Sequence, residues 1–121
     1  MKGVRLLVCG GRDYNDYIKL NMVMNQVKQR REIVEIIHGG ATGADSMVGY
    51  WAETNCIPVT VVPAEWNLLK CAAGMIRNKK MVDMKPDGVI AFPGGNGTKN
   101  MVSIAKKANI PVLEIHRTTN F

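Results

Sequence analysis

VRLLVCGGRD, residues Val4–Asp13, decides how this chain folds. A short apolar run meets a glycine pair with no linker between them. Such a run, rich in branched side chains and closed by glycine, has the pattern of a strand buried on both faces. The arrangement recurs as VEIIHGGATGAD at Val34–Asp45 and as GVIAFPGGNGT at Gly88–Thr98. Two further apolar runs, Val59–Val62 and Val112–Ile115, share the character without the glycines.

Between these runs the spacing becomes helical. Asn15–Arg31 sets Ile18, Met22, Val23, Gln26 and Val27 near one face, and Ala44–Asn55 does so with Met47, Val48, Trp51 and Ala52. Ala72–Met84 carries Ala72, Met75, Ile76, Met81 and Val82, and Thr98–Ala108 carries Met101, Val102, Ile104 and Ala105. Pro58 and Pro111 follow two of these helices and begin the next strands. The order is strand and helix in strict alternation. It predicts an α/β fold, a Rossmann-like three-layer α/β/α arrangement with a five-stranded, mainly parallel sheet. Ligands of such sheets bind outside the carboxyl ends of the strands, where the strand order reverses.

The 121 residues suit a single domain, expected to span residues 1–121. Three cysteines, Cys9, Cys56 and Cys71, with no CxxC spacing argue against a disulfide framework or a zinc site. No apolar run approaches a bilayer span, and the first residues lack a signal peptide's apolar stretch, so a cytoplasmic protein without a membrane partner is expected. The net charge of +6 serves solubility and favours an anionic ligand. A small anion ranks above nucleic acid, because no basic run exceeds two residues and no RNA-binding aromatic signature is present.

The glycine pairs of the first, second and fourth runs would all leave a parallel sheet at one edge. Glycine there clears side chains, so that backbone N–H groups of Gly10, Gly11, Gly39, Gly40, Gly43, Gly94, Gly95 and Gly97 can point at a phosphate. Two of the loops run into helix N-termini, which add positive partial charge. The plain alternative is a set of tight strand-to-helix turns. Thr42 and Asp45 read either as helix caps or as ligand contacts, Thr42 to phosphate and Asp45 to a ribose hydroxyl or to a bond that shapes the loop. Thr98 reads the same way as Thr42. Arg12 is the better anion candidate of the Arg12–Asp13 pair, since its planar fork matches phosphate oxygens. Lys99 and Asn100 read as solvated helix positions. By spacing alone Arg77 and Asn78 are ordinary helix residues, and Trp66 is a core or lid residue or a stacking partner for a base. His38 and His116 suit strand-end packing, and Cys71 lacks a paired histidine. No metal ligand set, cofactor or catalytic residue is assigned.

In order, Val8–Asp13, His38–Asp45, Trp66, Ala73–Asn78 and Phe92–Thr98 resemble the SLOG superfamily, named for DprA/Smf and the Lonely guy enzymes, and most closely its small YspA-like branch of bacteria and phages. The resemblance implies a Rossmann-like fold, a homo-oligomer and a nucleotide or ADP-ribose-like ligand, with Arg77, Asn78 and Trp66 among its contacts. It also makes a phage source, and a place in the host cytoplasm, an expectation. Lonely guy enzymes release a base from a ribose monophosphate with a glutamate four residues after the glycine of Pro-Gly-Gly-x-Gly. That position here is Met101, whose thioether cannot take or give a proton. The leading expectation is therefore a binding protein, in one version a phage sponge that sequesters a nucleotide defence signal. The alternatives are a nucleoside 5′-monophosphate N-glycosidase, with Asp45 or Glu65 as a substitute carboxylate, and a DprA-like binder of single-stranded DNA.

Overall fold

The computed structural model describes residues 3–64 and 72–116. The elements are β1 (Val4–Cys9), α1 (Tyr17–Arg30), β2 (Ile33–His38), α2 (Ala44–Thr54), β3 (Val59–Val61), α3 (Ala73–Asp83), β4 (Gly88–Ala91), α4 (Asn96–Lys107) and β5 (Val112–Glu114). Trp66, Glu65, Cys71 and the tail at 117–121 lie outside the described residues.

All strand pairs are parallel, in the order β3-β2-β1-β4-β5. β1 is the central strand, flanked on one side with Leu7 opposite Ile37 and on the other with Leu7 opposite Val89. Alternate residues of β1 serve opposite cores. Val4, Leu6 and Val8 pack with Leu20 and Met24 of α1 and with Val48 and Trp51 of α2. Leu7 and Cys9 pack with Met81 and Val82 of α3 and with Met101 and Ala105 of α4. The result is a Rossmann-like three-layer fold. Each side chain that becomes fully buried, such as Leu7, Val8 and Ile37, contributes roughly 1.5–3 kcal/mol.

The helix ends follow local chemistry. Asp16 caps α1 by accepting from Lys19 N at 3.0 Å. Cys56, Lys85 and Asn109 take positive φ just after α2, α3 and α4 and stop them. The buried faces of α1 and α3 differ from those the spacing suggested. Ile18 and Met22 are exposed, while Leu20 and Met24 are fully buried. Met75 and Ile76 are likewise exposed, and α3 turns Ala73, Asn78, Met81 and Val82 inward. Each helix carries apolar residues around more than one face, and the partner surface selects which stripe is covered.

A polar cluster crosses three strands at the amino end of the sheet. Arg5 Nε donates to Glu35 Oε1 at 2.8 Å, and Thr60 Oγ1 donates to Glu35 Oε2. Arg5 Nη1 also donates to Met84 O at 2.9 Å, tying the end of α3 to β1. The hydrogen bonds from Thr60 and Arg5 hold the Glu35 carboxyl below its usual range. A carboxylate with a depressed folded pKa adds stability above its unfolded pKa and loses it as pH falls through the folded value. Glu35→Gln should therefore cost up to about 1 kcal/mol at neutral pH, the upper range for a partly screened pair. The deficit should shrink as pH is lowered below the ordinary glutamate pKa. Chemical denaturation of both proteins across acid pH measures this.

Candidate functional site

The loops after β1, β2 and β4 interlock through their backbones. Gly11 N donates to Pro93 O at 2.8 Å, and Ala44 N donates to Gly11 O at 3.2 Å. Their glycines fall into two groups. In the first, a side chain would strike a neighbour. A Cβ on Gly10 would sit 2.6 Å from Ala44 Cβ and 2.9 Å from Phe92 Cβ. On Gly43, at φ +76°, it would meet the carbonyl oxygens of Gly11 and Arg12, and on Gly94 it would meet Thr98 Oγ1 and Gly11 N. These glycines let one loop approach another. The second group is Gly95 and Gly97, around which a Cβ would meet open space.

That open space belongs to a cavity of about 610 Å³ at the carboxyl ends of β1 and β4, where the strand order reverses. Gly10, Gly11 and Arg12 line it from the first loop, and Ala41 and Asp45 from the second. Gly95, Gly97, Thr98 and Asn100 line it from α4 and its approach, and Gly74, Met75, Arg77, Asn78 and Met81 line it from α3. Gly39, Gly40, Thr42, Gly43 and Gly94 do not. Thr42 instead donates to Arg12 O at 3.1 Å, and Gly43, not Thr42, is the N-cap of α2. A groove of about 830 Å³ at the far ends of α3 and α4 is larger, but neither a helix N-terminus nor a glycine loop opens into it.

The helix termini at the rim are not equivalent. α2 carries Asp45 in its first turn, an anion that answers its own terminal dipole. α4 has no acidic residue in its first turn and no side-chain cap on Gly95. Its first N–H groups have no acceptor within the helix, and they open beside Gly95 and Gly97. Among the described lining residues, the charged side chains are two guanidinium groups, Arg12 and Arg77, and one carboxylate, Asp45.

Asp45 is buried, and its Oδ2 accepts from Ala41 N at 3.1 Å. Burial raises its pKa, against the pull of that bond and of His38 and Arg77. Cys9 forms part of the floor, and burial pushes its thiol up to about 12, with Asp45 adding to the rise. It stays protonated and is no nucleophile at neutral pH. His38 is buried and its Nδ1 accepts from Gly40 N at 3.0 Å. Burial lowers its pKa, so the ring stays neutral and braces the second loop.

Arg77 is half-buried rather than solvated. Its Nη1 donates to Gly39 O at 2.8 Å and its Nε to Asn78 Oδ1 at 3.1 Å. A Cβ on Gly39 would meet this guanidinium, which is why glycine fits there. Asn78 is buried and donates to Gly97 O at 3.1 Å and to Asn100 Oδ1 at 3.0 Å. Asn100, read from the sequence as solvated, is part of the site. Nothing local marks it, because its partner lies 22 residues away. No group of three or more His, Cys, Asp or Glu that could hold a metal occurs among the described residues, and no described helix is long and apolar enough to cross a membrane.

Residues 4–68 match the model of the family described as the YspA, cpYpsA-related SLOG family. The gene 61 protein of Mycobacterium phage D29 is 31% identical over an alignment of 117 residues, and the match covers 90% of this chain and 94% of that protein.

The two groups of glycines should respond oppositely to alanine. Gly43→Ala should lose about 2 kcal/mol or more, from its positive φ and the carbonyls it would strike. Gly97→Ala should keep the fold and gain up to about 1 kcal/mol from helix propensity. Denaturant unfolding of the two variants measures both.

Proposed function

The chain belongs to the YspA/cpYpsA-related SLOG family, and from that premise we propose that its cavity binds a phosphate-bearing nucleotide or nucleotide-derived molecule, such as an ADP-ribose derivative or a cyclic nucleotide. One observation carries this reading. The uncapped N-terminus of α4, bare at Gly95 and Gly97, opens beside Arg12 and Arg77 at the point where the strand order reverses. N–H groups, a helix dipole and guanidinium forks together suit a phosphate. In this arrangement Thr98 adds a hydroxyl donor, and Gly10 and Gly11 keep the floor low. Asp45, whose carboxylate accepts from the backbone of Ala41 and of Gly39, keeps further lone pairs that suit a ribose hydroxyl. Met75, exposed on α3 at the cavity, offers an apolar, polarisable surface for a base.

Retention without turnover fits a sponge that withholds a nucleotide signal, and the similarity to a phage protein supports that version. Met101, at the position of the Lonely guy glutamate, is fully buried in the core beneath α4. A second reading, base release from a nucleoside 5′-monophosphate, is favoured by Asp45. It is the one carboxylate among the described lining residues, and its raised pKa suits a proton donor.

Isothermal titration against AMP, ADP-ribose and a cyclic nucleotide panel tests the binding reading. At least one member should bind, and Arg77→Ala should weaken it by about ten- to hundred-fold, as expected for charge-assisted hydrogen bonds. Gly97→Ala, although folded, should also weaken it by placing a methyl in the seat. Absence of heat with every member would sink the proposal. Chromatography of the incubated ligand separates the two readings: intact ligand supports binding alone, and free base lost in Asp45→Asn supports the second.

A further inference from the structure

We propose that Asn78 is a positioning residue: it touches the cavity wall but acts through Arg77, locking that guanidinium to the N-terminus of α4 so that the two form one rigid anion seat. This rests on the phosphate-binding reading of the cavity and adds how its charge is held in place.

The argument starts from hydrogen-bond capacity. An asparagine amide offers two N–H donors and one carbonyl oxygen. Both donors of Asn78 are taken, one by Gly97 O at 3.1 Å and one by Asn100 Oδ1 at 3.0 Å. Its oxygen accepts from Arg77 Nε at 3.1 Å. Arg77 Nε can only donate and Gly97 O can only accept, so the amide has a single workable orientation. Asn78 is 5% exposed and has no donor left for a ligand.

Arg77 has the opposite balance. Of its five N–H groups, one meets Asn78 and one meets Gly39 O at 2.8 Å. Arg77 lines the cavity, and neither Asn78 nor Gly39 takes up its other N–H groups. The bonds thus run from Gly39 at the end of β2, through Arg77 and Asn78 on α3, to Gly97 and Asn100 on α4. They span the cleft between the two halves of the sheet. A guanidinium held at two points loses little freedom when an anion arrives, which is the benefit of preorganisation. Aspartate at this position would lose both donors and set a carboxylate oxygen against Gly97 O. Leucine would keep the volume and lose every bond.

The test needs a readout that a general loss of stability would not move. In the uniformly ¹⁵N-labelled full chain, the Arg77 Nε–Hε resonance is assigned by its loss in Arg77→Lys. It should exchange slowly with solvent in the native protein. In Asn78→Leu the protection should vanish, whereas Asn100→Leu, which leaves the Asn78 oxygen in place, should keep it. With AMP and ADP-ribose as probes, at temperatures where each variant is folded by circular dichroism, Asn78→Leu should bind about ten- to hundred-fold more weakly. Gly39→Ala displaces the same guanidinium from its other end without touching Asn78, and should show the same loss; it serves if Asn78→Leu does not fold. Free solvent exchange of Arg77 Nε–Hε in the native protein overturns the proposal. So does native affinity in folded Asn78→Leu. If neither probe binds the native protein while the resonance behaves as described, the positioning stands and the ligand reading fails.

Discussion

The close approach of three backbones at the carboxyl edge of the sheet is the constraint on which the rest depends. Gly11 stands between the other two loops, donating to Pro93 O and accepting from Ala44 N. Gly10, Gly43 and Gly94 are glycines because a carbonyl, an amide or a packed side chain occupies the place where a Cβ would go. Backbone contact of this kind cannot adjust by a rotamer change. It holds the entries to α2 and α4 in fixed relation to the end of β1, and the cavity is the space they leave.

Charge then divides the labour between the helix ends. α2 carries its own anion in Asp45, which is buried and bonded to the loop it closes. α4 carries none, and the guanidinium groups of Arg12 and Arg77 lie on the same cavity. Burial of the Arg77 charge is the largest cost and lowers its pKa, Asp45 offsets part of that cost, and the neighbouring Arg12 adds to it. An arriving anion would relieve it further. The protonated Cys9 thiol shapes the floor without adding charge, and the His38 ring, whose pKa burial lowers, braces the second loop behind it.

The same neutrality bears on the chemistry open to the site. Cys9 is held far from its thiolate, and His38 spends its acceptor nitrogen on Gly40. Met101 lies under α4 in the core shared with Leu7 and Ala105, away from the cavity wall. Asp45 is the one carboxylate among the described residues that line the cavity.

From the sequence alone one could read the alternation of strand and helix, the burial of β1 on both faces, and the convergence of the glycine loops at one edge. These are local patterns: side-chain period, glycine after an apolar run, proline before the next strand. The tertiary structure decided what local patterns leave degenerate. Ile18 and Leu20 are equally apolar, and only the sheet and α2 select which stripe of α1 is covered. Gly43 and Gly97 are the same residue, yet one accommodates a neighbouring backbone and the other opens to the cavity. Asn78 enters the sequence reading only through the family resemblance, and Asn100 carries no signal until α3 and α4 lie side by side, because a hydrogen bond depends on separation in space and not on separation along the chain.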